Sequence, residues 1–202
     1  MIYSYPMPFK CYKYLAKYTE QYMEKYNSLQ YYTVAITLPD PLRRALDTEL
    51  AQYNLSPMCH SLSFKRHGFA NEQHPLQSSI GMHVDWDWKH STEPYHAAII
   101  FPVSGCKDTY QYWIQGNYTL VHQEKSDPGG GPIRYGQPSW NEPGVVADEK
   151  AYIEHEPMLV RTNIPHSVVS RADGSYRTIL SVRLTNNEKF DDIVEKIKAK
   201  TN

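Results

Sequence analysis

Between residues 60 and 184 the chain is repeatedly cut by Gly, Pro, Asn and Asp, and the pieces left between the cuts are too short for ordinary helices. Segments 60–64, 79–85, 96–103, 109–114, 118–122, 151–155, 159–162, 167–170 and 176–184 carry Val, Ile, Thr and aromatic residues, the composition of strands. Many short strands without helical segments alternating between them point to a sandwich, jelly roll or barrel, not an alternating α/β fold. The expectation is a mainly β protein.

Helices are expected to flank this region. Phe9, Tyr12, Leu15, Tyr18, Tyr22 and Tyr26 recur at a spacing of three or four, which predicts an amphipathic helix over 9–26. A strand over 32–38 follows and ends at Pro39. Asp40 then offers a helix cap, Pro41 suits the first turn, and Leu42, Leu46, Leu50 and Tyr53 line one face. At the other end Thr185 and Glu188 have the spacing of a capping box ahead of Phe190, Ile193, Val194 and Ile197. The division expected is one domain over 1–202, with N-terminal helices in 1–58, a β core over 60–184 and a C-terminal helix over 186–200. Residues 126–144, SDPGGGPIRYGQPSWNEPG, are too long and too rich in Gly and Pro for a tight hairpin. Two readings stay open for them: a lid gripping substrate through Arg134, Tyr135, Trp140 and Asn141, or an unstructured surface loop.

Composition narrows the setting. No apolar run approaches the roughly 20 residues of a membrane-spanning helix, and Pro6 and Pro8 interrupt any signal-peptide core. Three widely spaced cysteines without a CxxC argue against a disulfide framework or a structural zinc site, so a reducing cytoplasm is expected. A net charge of −1 gives no support to a nucleic-acid binder, although 17 tyrosines and 4 tryptophans offer stacking surfaces whose ordinary use is core packing.

The chemistry sits in GMHVDWDW. Residues i and i+2 of a strand point to one face, so His83 and Asp85 present an imidazole and a carboxylate side by side. With 9 histidines and 22 acidic residues, about one such spacing arises by chance, and His122-Gln123-Glu124 is a second instance. Room separates the two: the interval from His83 to His166 in IPHSV holds four strands of about 5–6 residues with turns and a long loop, and the interval from His122 does not. Two histidines and a carboxylate form the facial set of a non-haem iron site. Asp87 shares the parity of Asp85 but lies too far along the strand from His83. Arg177 opens the run Arg177-Thr178-Ile179-Leu180-Ser181-Val182-Arg183-Leu184, in which the odd residues face inward and the even ones outward, and an inward arginine can fork onto a carboxylate.

HVDWDW, IPHSV and the ten residues separating His166 from Arg177 together resemble the Fe(II)/2-oxoglutarate-dependent dioxygenase superfamily over residues 60–184, with an organisation closest to its small phage and bacterial members. The resemblance implies a double-stranded β-helix (jelly-roll, cupin-like) core, Fe(II) on His83, Asp85 and His166, and 2-oxoglutarate as co-substrate with its far carboxylate on Arg177. Many relatives place Ser or Thr two residues after that arginine. Here Ile179 stands there, and Ser181 is the next hydroxyl on that face. Arg183 competes with Arg177 for the co-substrate, and Tyr112 or Tyr110 is a candidate second donor to its carboxylate. The activity implied is hydroxylation of a substrate that the sequence does not identify, with release of succinate and carbon dioxide. Two alternatives remain: a cupin-like metal enzyme that does not use 2-oxoglutarate, and a non-catalytic jelly-roll module. Trp86 and Trp88 read as core or pocket wall, and His155 as a structural histidine. His60, His67, His74, His90 and His96 have no partner at ligand spacing.

Overall fold

The computed structural model of the chain describes residues 1–15, 17–18, 31–66, 82–126, 132–170, 176–185 and 187–201. The fold is mainly β with few helices, as the broken strand pattern predicts, and its sheets are not closed. The largest sheet is antiparallel and six-stranded. In spatial order it runs β1 (Ser4–Pro6), β10 (Met158–Arg161), β5 (Ala97–Ser104), β12 (Tyr176–Leu184), β3 (Pro57–Arg66) and β2 (Tyr31–Ile36). Two three-stranded sheets accompany it. One is ordered β11 (His166–Ser170), β6 (Thr109–Gln115), β9 (Val145–Ala151), and the other β4 (Val84–Asp85), β8 (Pro132–Trp140), β7 (Tyr118–Ser126).

Strand alternation sorts the side chains of the large sheet into two cores. On one face Leu180, Val182 and Leu184 of β12, Ile99, Phe101 and Val103 of β5, and Leu159 of β10 pack against helix α1 (Asp40–Ala51) and helix α2 (Phe190–Thr201). On the other face Ile179, Ala98, Ile100, Met158 and Val160 meet Trp113 of β6 and Val168 of β11. The inward and outward parity read for residues 177–184 is therefore the parity observed, and the interior between the sheets receives Arg177, Ser181 and Arg183.

The helices follow the expected faces but not all the expected ends. Leu46 and Leu50 of α1 are buried and Tyr53 with them. The helix is not capped by Asp40, however: Pro39 holds the cap position with no side-chain hydrogen bond, and Asp40 instead pairs with Arg43 at 3.0 Å on the surface. Phe190, Ile193, Val194 and Ile197 bury as one stripe of α2, yet this helix starts at Phe190, four residues later than expected. Thr185 stays tied to Ser56, its N–H donating to that carbonyl at 2.9 Å, and Glu188 pairs with Lys196, so no capping box forms. Of the helix expected over 9–26, positions 12–15 and 17–18 are helical with Leu15 fully buried, and Tyr22 and Tyr26 lie outside the described residues. The Glu49 carboxylate of α1 accepts from the N–H groups of Lys10 and Cys11, both at 2.8 Å, and anchors its start. Residues 1–58 also supply β1 and β2, the two edge strands of the large sheet, so this flank is not solely helical.

The largest correction concerns residues 126–144. Residues 132–140 are not a loop but strand β8, paired with β7 from Tyr118↔Trp140 to Ser126↔Pro132. Its prolines fit because Pro132 begins the strand and Pro138 lies beyond the two positions, Tyr135 and Gly136, at which β4 pairs with the other edge. The strand expected over 151–155 is displaced as well: the strand is β9, and the chain then turns, with His155 in the left-handed region at φ 66° and stacked on Tyr12, away from the sheet interior. Among the described residues no helix is long and apolar enough to cross a membrane.

Leu180 has no exposed surface and sits where β12 meets the helices, so Leu180→Ala should lower the unfolding free energy by about 2–5 kcal/mol. Val145, 67% exposed on β9, is the control: Val145→Ala should stay within about 0.5 kcal/mol in the same urea titration.

Candidate metal centre

Asp85 belongs to β4 and His166 opens β11, and His83 joins the two. His83 N–H donates to His166 O at 3.0 Å and His166 N–H to His83 O at 2.9 Å, an antiparallel bridge between the edges of the two small sheets. Residues that exchange both backbone bonds project their side chains to the same side, and the two imidazole rings stand 4.5 Å apart. Asp85 is fastened on both sides, its N–H donating to Thr162 O at 3.0 Å and its carbonyl accepting from Tyr95 N–H at 2.8 Å. Its carboxylate lies 3.4 Å from His83 Nε2 and 3.9 Å from His166 Nε2.

One donor atom from each of His83, Asp85 and His166 falls within 4.8 Å of the others, and this is the one such group of three or more among the described residues. Two imidazole nitrogens and a carboxylate oxygen are donors that divalent first-row metals accept. His166 Nδ1 donates to Ile164 O at 2.9 Å, which fixes the tautomer and leaves Nε2 as the free lone pair. Burial, with the neighbouring His83, lowers the His166 pKa to about 4, so the ring is neutral at pH 7. Burial alone would raise the Asp85 carboxyl. The charge of Arg183, the hydrogen bond from His83 and the nearby His166 together hold it well below the usual carboxylate range. Both groups are thus deprotonated when a metal would meet them.

Of the four other predicted residues, three share the interior face of β12 and one does not. Arg183 reaches Asp85, its Nη1 donating to Oδ2, and lies over the Tyr95 ring with its guanidinium carbon 5.7 Å from the centroid. Arg177 is deeper, 1% exposed, and among the described residues its Nε and Nη1 have no hydrogen-bond partner. Ser181 stands between the two arginines on the same face, buried. Tyr112 is not with them. Its register partner is Ser167, so it points to the face of β11 and β6 opposite His166, into a cluster with Ile114 and Val169, and Tyr110 shares that side.

The tyrosine that does pack on the inner face of the large sheet is Tyr152, directly after β9, which the sequence pattern leaves as an ordinary residue of the strand expected over 151–155. Burial raises its pKa, against the pull of the Arg177 charge and with a further push from Cys106 and Asp85, and the ring packs in one cluster with Ile179 and Trp113. Tyr152 OH donates to Gln111 Oε1 at 2.7 Å. Burial likewise pushes the Cys106 thiol up to about 12. Asp87, the alternative ligand, turns away to His90 at 2.8 Å and Arg134 at 3.4 Å. Trp86 and Trp88 lie on the back of β4, against His122.

No protein-family model and no curated protein matches the sequence.

His166 titrates at about 4 in the fold against an ordinary 6.5. The unfolded chain therefore takes up a proton that the folded metal-free protein refuses, and stability falls as pH drops from 6.5 towards 4. A series of thermal melts across that window should show the decline, and His166→Asn should flatten it. An unchanged slope in the variant would remove His166 as its source.

Proposed function

We propose that the protein is an Fe(II)- and 2-oxoglutarate-dependent oxygenase with a double-stranded β-helix core, acting on a substrate not yet identified. The observation that carries this reading is the Arg177 guanidinium: a buried cation whose Nε and Nη1 have no hydrogen-bond partner among the described residues, on the same strand face as Arg183, which pairs with Asp85 of the His-Asp-His group. A buried charge without a partner costs several kcal/mol in a protein interior, and a forked donor of this shape matches a carboxylate. A dicarboxylate reaching from the metal ligands to Arg177 supplies that partner.

In this reading Fe(II) and 2-oxoglutarate supply the oxidising chemistry, with succinate and carbon dioxide as by-products. The chain supplies the rest. His83, Asp85 and His166 would hold the metal through two imidazole nitrogens and a carboxylate oxygen. Ile164 O orients His166, and Arg183 keeps Asp85 ionised and aimed. Arg177 takes the far carboxylate, and Tyr152 replaces Tyr112 as the tyrosine placed to join it. Ile179 and Trp113 line the apolar interior and keep water from the site. Cys11 and Cys106 are buried free thiols, which fits a reducing cytoplasm.

The test is an anaerobic titration with Fe(II) and then 2-oxoglutarate, read by the visible charge-transfer band of a chelated keto acid. His166→Ala should abolish the band. Arg177→Met should keep metal binding but require about 10–100-fold more 2-oxoglutarate, the value of a lost charge-assisted pair. The same variant should melt at an equal or higher temperature than wild type without ligand, because an apolar side chain of similar size replaces an uncompensated buried charge. Metal binding without a band would favour the cupin-like alternative, and no metal binding would favour a structural module.

A further inference from the structure

His122 and Glu124 repeat the His-x-carboxylate spacing of His83 and Asp85, yet Glu124 pairs with Arg134 and Lys89 and neither residue reaches the metal ligands. His122 has another set of neighbours. Trp88 lies flat on its imidazole, with centroids 5.0 Å apart and planes 6° apart, and Trp86 meets it edge-on at 4.6 Å and 81°. We propose that His122 is a positioning residue, the centre of an aromatic clamp that fastens the strand carrying His83 and Asp85 to the β7–β8 hairpin and so sets the spacing of the metal ligands. The inference rests on the metal-centre reading above.

The need for a clamp follows from the length of β4. It pairs with β8 at only two positions, Val84↔Gly136 and Asp85↔Tyr135, and immediately afterwards the chain turns away through 86–91. On the β8 edge so short a ladder fixes direction poorly, and the backbone bonds of His83 to His166 and of Asp85 to Thr162 and Tyr95 leave that edge to the side chains behind it. His122 is in register with Gly136 on the far strand, so Val84, Gly136 and His122 form one row across three strands, on the face opposite Asp85. Trp86, two residues beyond Val84, leans over that row.

Gly136 leaves the space that the leaning ring uses: a Cβ there would stand 3.3 Å from both Trp86 Cε3 and Leu120 Cδ2. The two indoles are tied down by their N–H groups. Trp86 Nε1 donates to Ser91 O at 3.0 Å, closing the turn, and Trp88 Nε1 donates to Gln123 O at 3.2 Å, crossing to β7. Arg134 bridges Glu124 at 2.7 Å and Asp87 at 3.4 Å around the rim. These rim pairs are partly exposed and contribute less than the ring contacts they surround. The clamp works from behind the strand: it touches no ligand atom and acts on His83 and Asp85 through the backbone between them.

Two variants of the full chain, His122→Ala and His122→Phe, test this with Co(II) as an oxygen-stable probe of the site. Co(II) affinity, the Co(II) d–d absorption spectrum and, in metal-free protein, amide hydrogen exchange of residues 83–86 are measured. His122→Ala is expected to weaken Co(II) binding about tenfold or more, alter the spectrum and speed exchange at 83–86. His122→Phe, which restores a flat ring, should return all three towards wild type. Folded His122→Ala with unchanged affinity and exchange overturns the proposal, and so does His122→Phe as impaired as the alanine variant, because the imidazole chemistry and not the stack would then matter. If His122→Ala does not fold, Trp88→Leu carries the same expectations. Wild-type protein that binds no Co(II) sinks the metal reading instead, and the exchange comparison still decides the clamp.

Discussion

Two backbone hydrogen bonds between His83 and His166 organise the centre of this molecule. Through them the edge of the β4–β8–β7 sheet meets the edge of the β11–β6–β9 sheet, and two imidazoles from residues 83 positions apart in sequence come to stand on one side. A strand edge carries unpaired N–H and C=O groups that must find partners when buried. Satisfying them here and bringing the two imidazoles of the candidate metal site together are the same event, so the site is fixed by the bridge that joins the sheets.

The large sheet contributes charge to that interior. Its inner face is apolar at Ile179, Ile100 and Val160, and three β12 positions break the pattern: Arg177, Ser181 and Arg183. Arg183 is compensated at once by Asp85. Arg177 keeps two guanidinium nitrogens, Nε and Nη1, without a hydrogen-bond partner among the described residues. A fold that keeps a buried cation in this state accepts a loss of stability, and that exchange is characteristic of sites shaped for a ligand.

How far the sequence could be read depended on whether a signal was local. The alternation of β12 was legible because both of its faces are covered and the side-chain period is two, so Leu180, Val182 and Leu184 could be assigned against Arg177 and Arg183. The pairing of His83 with Asp85 was legible for the same reason. β8 was not: Gly136, Pro132 and Pro138 read as loop residues, and only the partner strands reveal that the glycine lies under Trp86 and that the prolines fall where no ladder bond is lost. The start of α2 was missed because Thr185 had a better partner in Ser56, a residue far away in the chain.

The sequence by itself determined that the chain is mainly β, which face the residues of β12 occupy, and that His83 and Asp85 stand side by side as an imidazole and a carboxylate, because these depend on the geometry of two or three consecutive residues. Only the tertiary structure decided which arginine meets Asp85 and which keeps two buried nitrogens without a hydrogen-bond partner among the described residues, that Tyr152 and not Tyr112 packs in the cluster of Ile179, and that His122 stacks against two tryptophans. Charge, burial and ring contact act through space, and the distances that set them exist only once residues far apart in the chain have packed together.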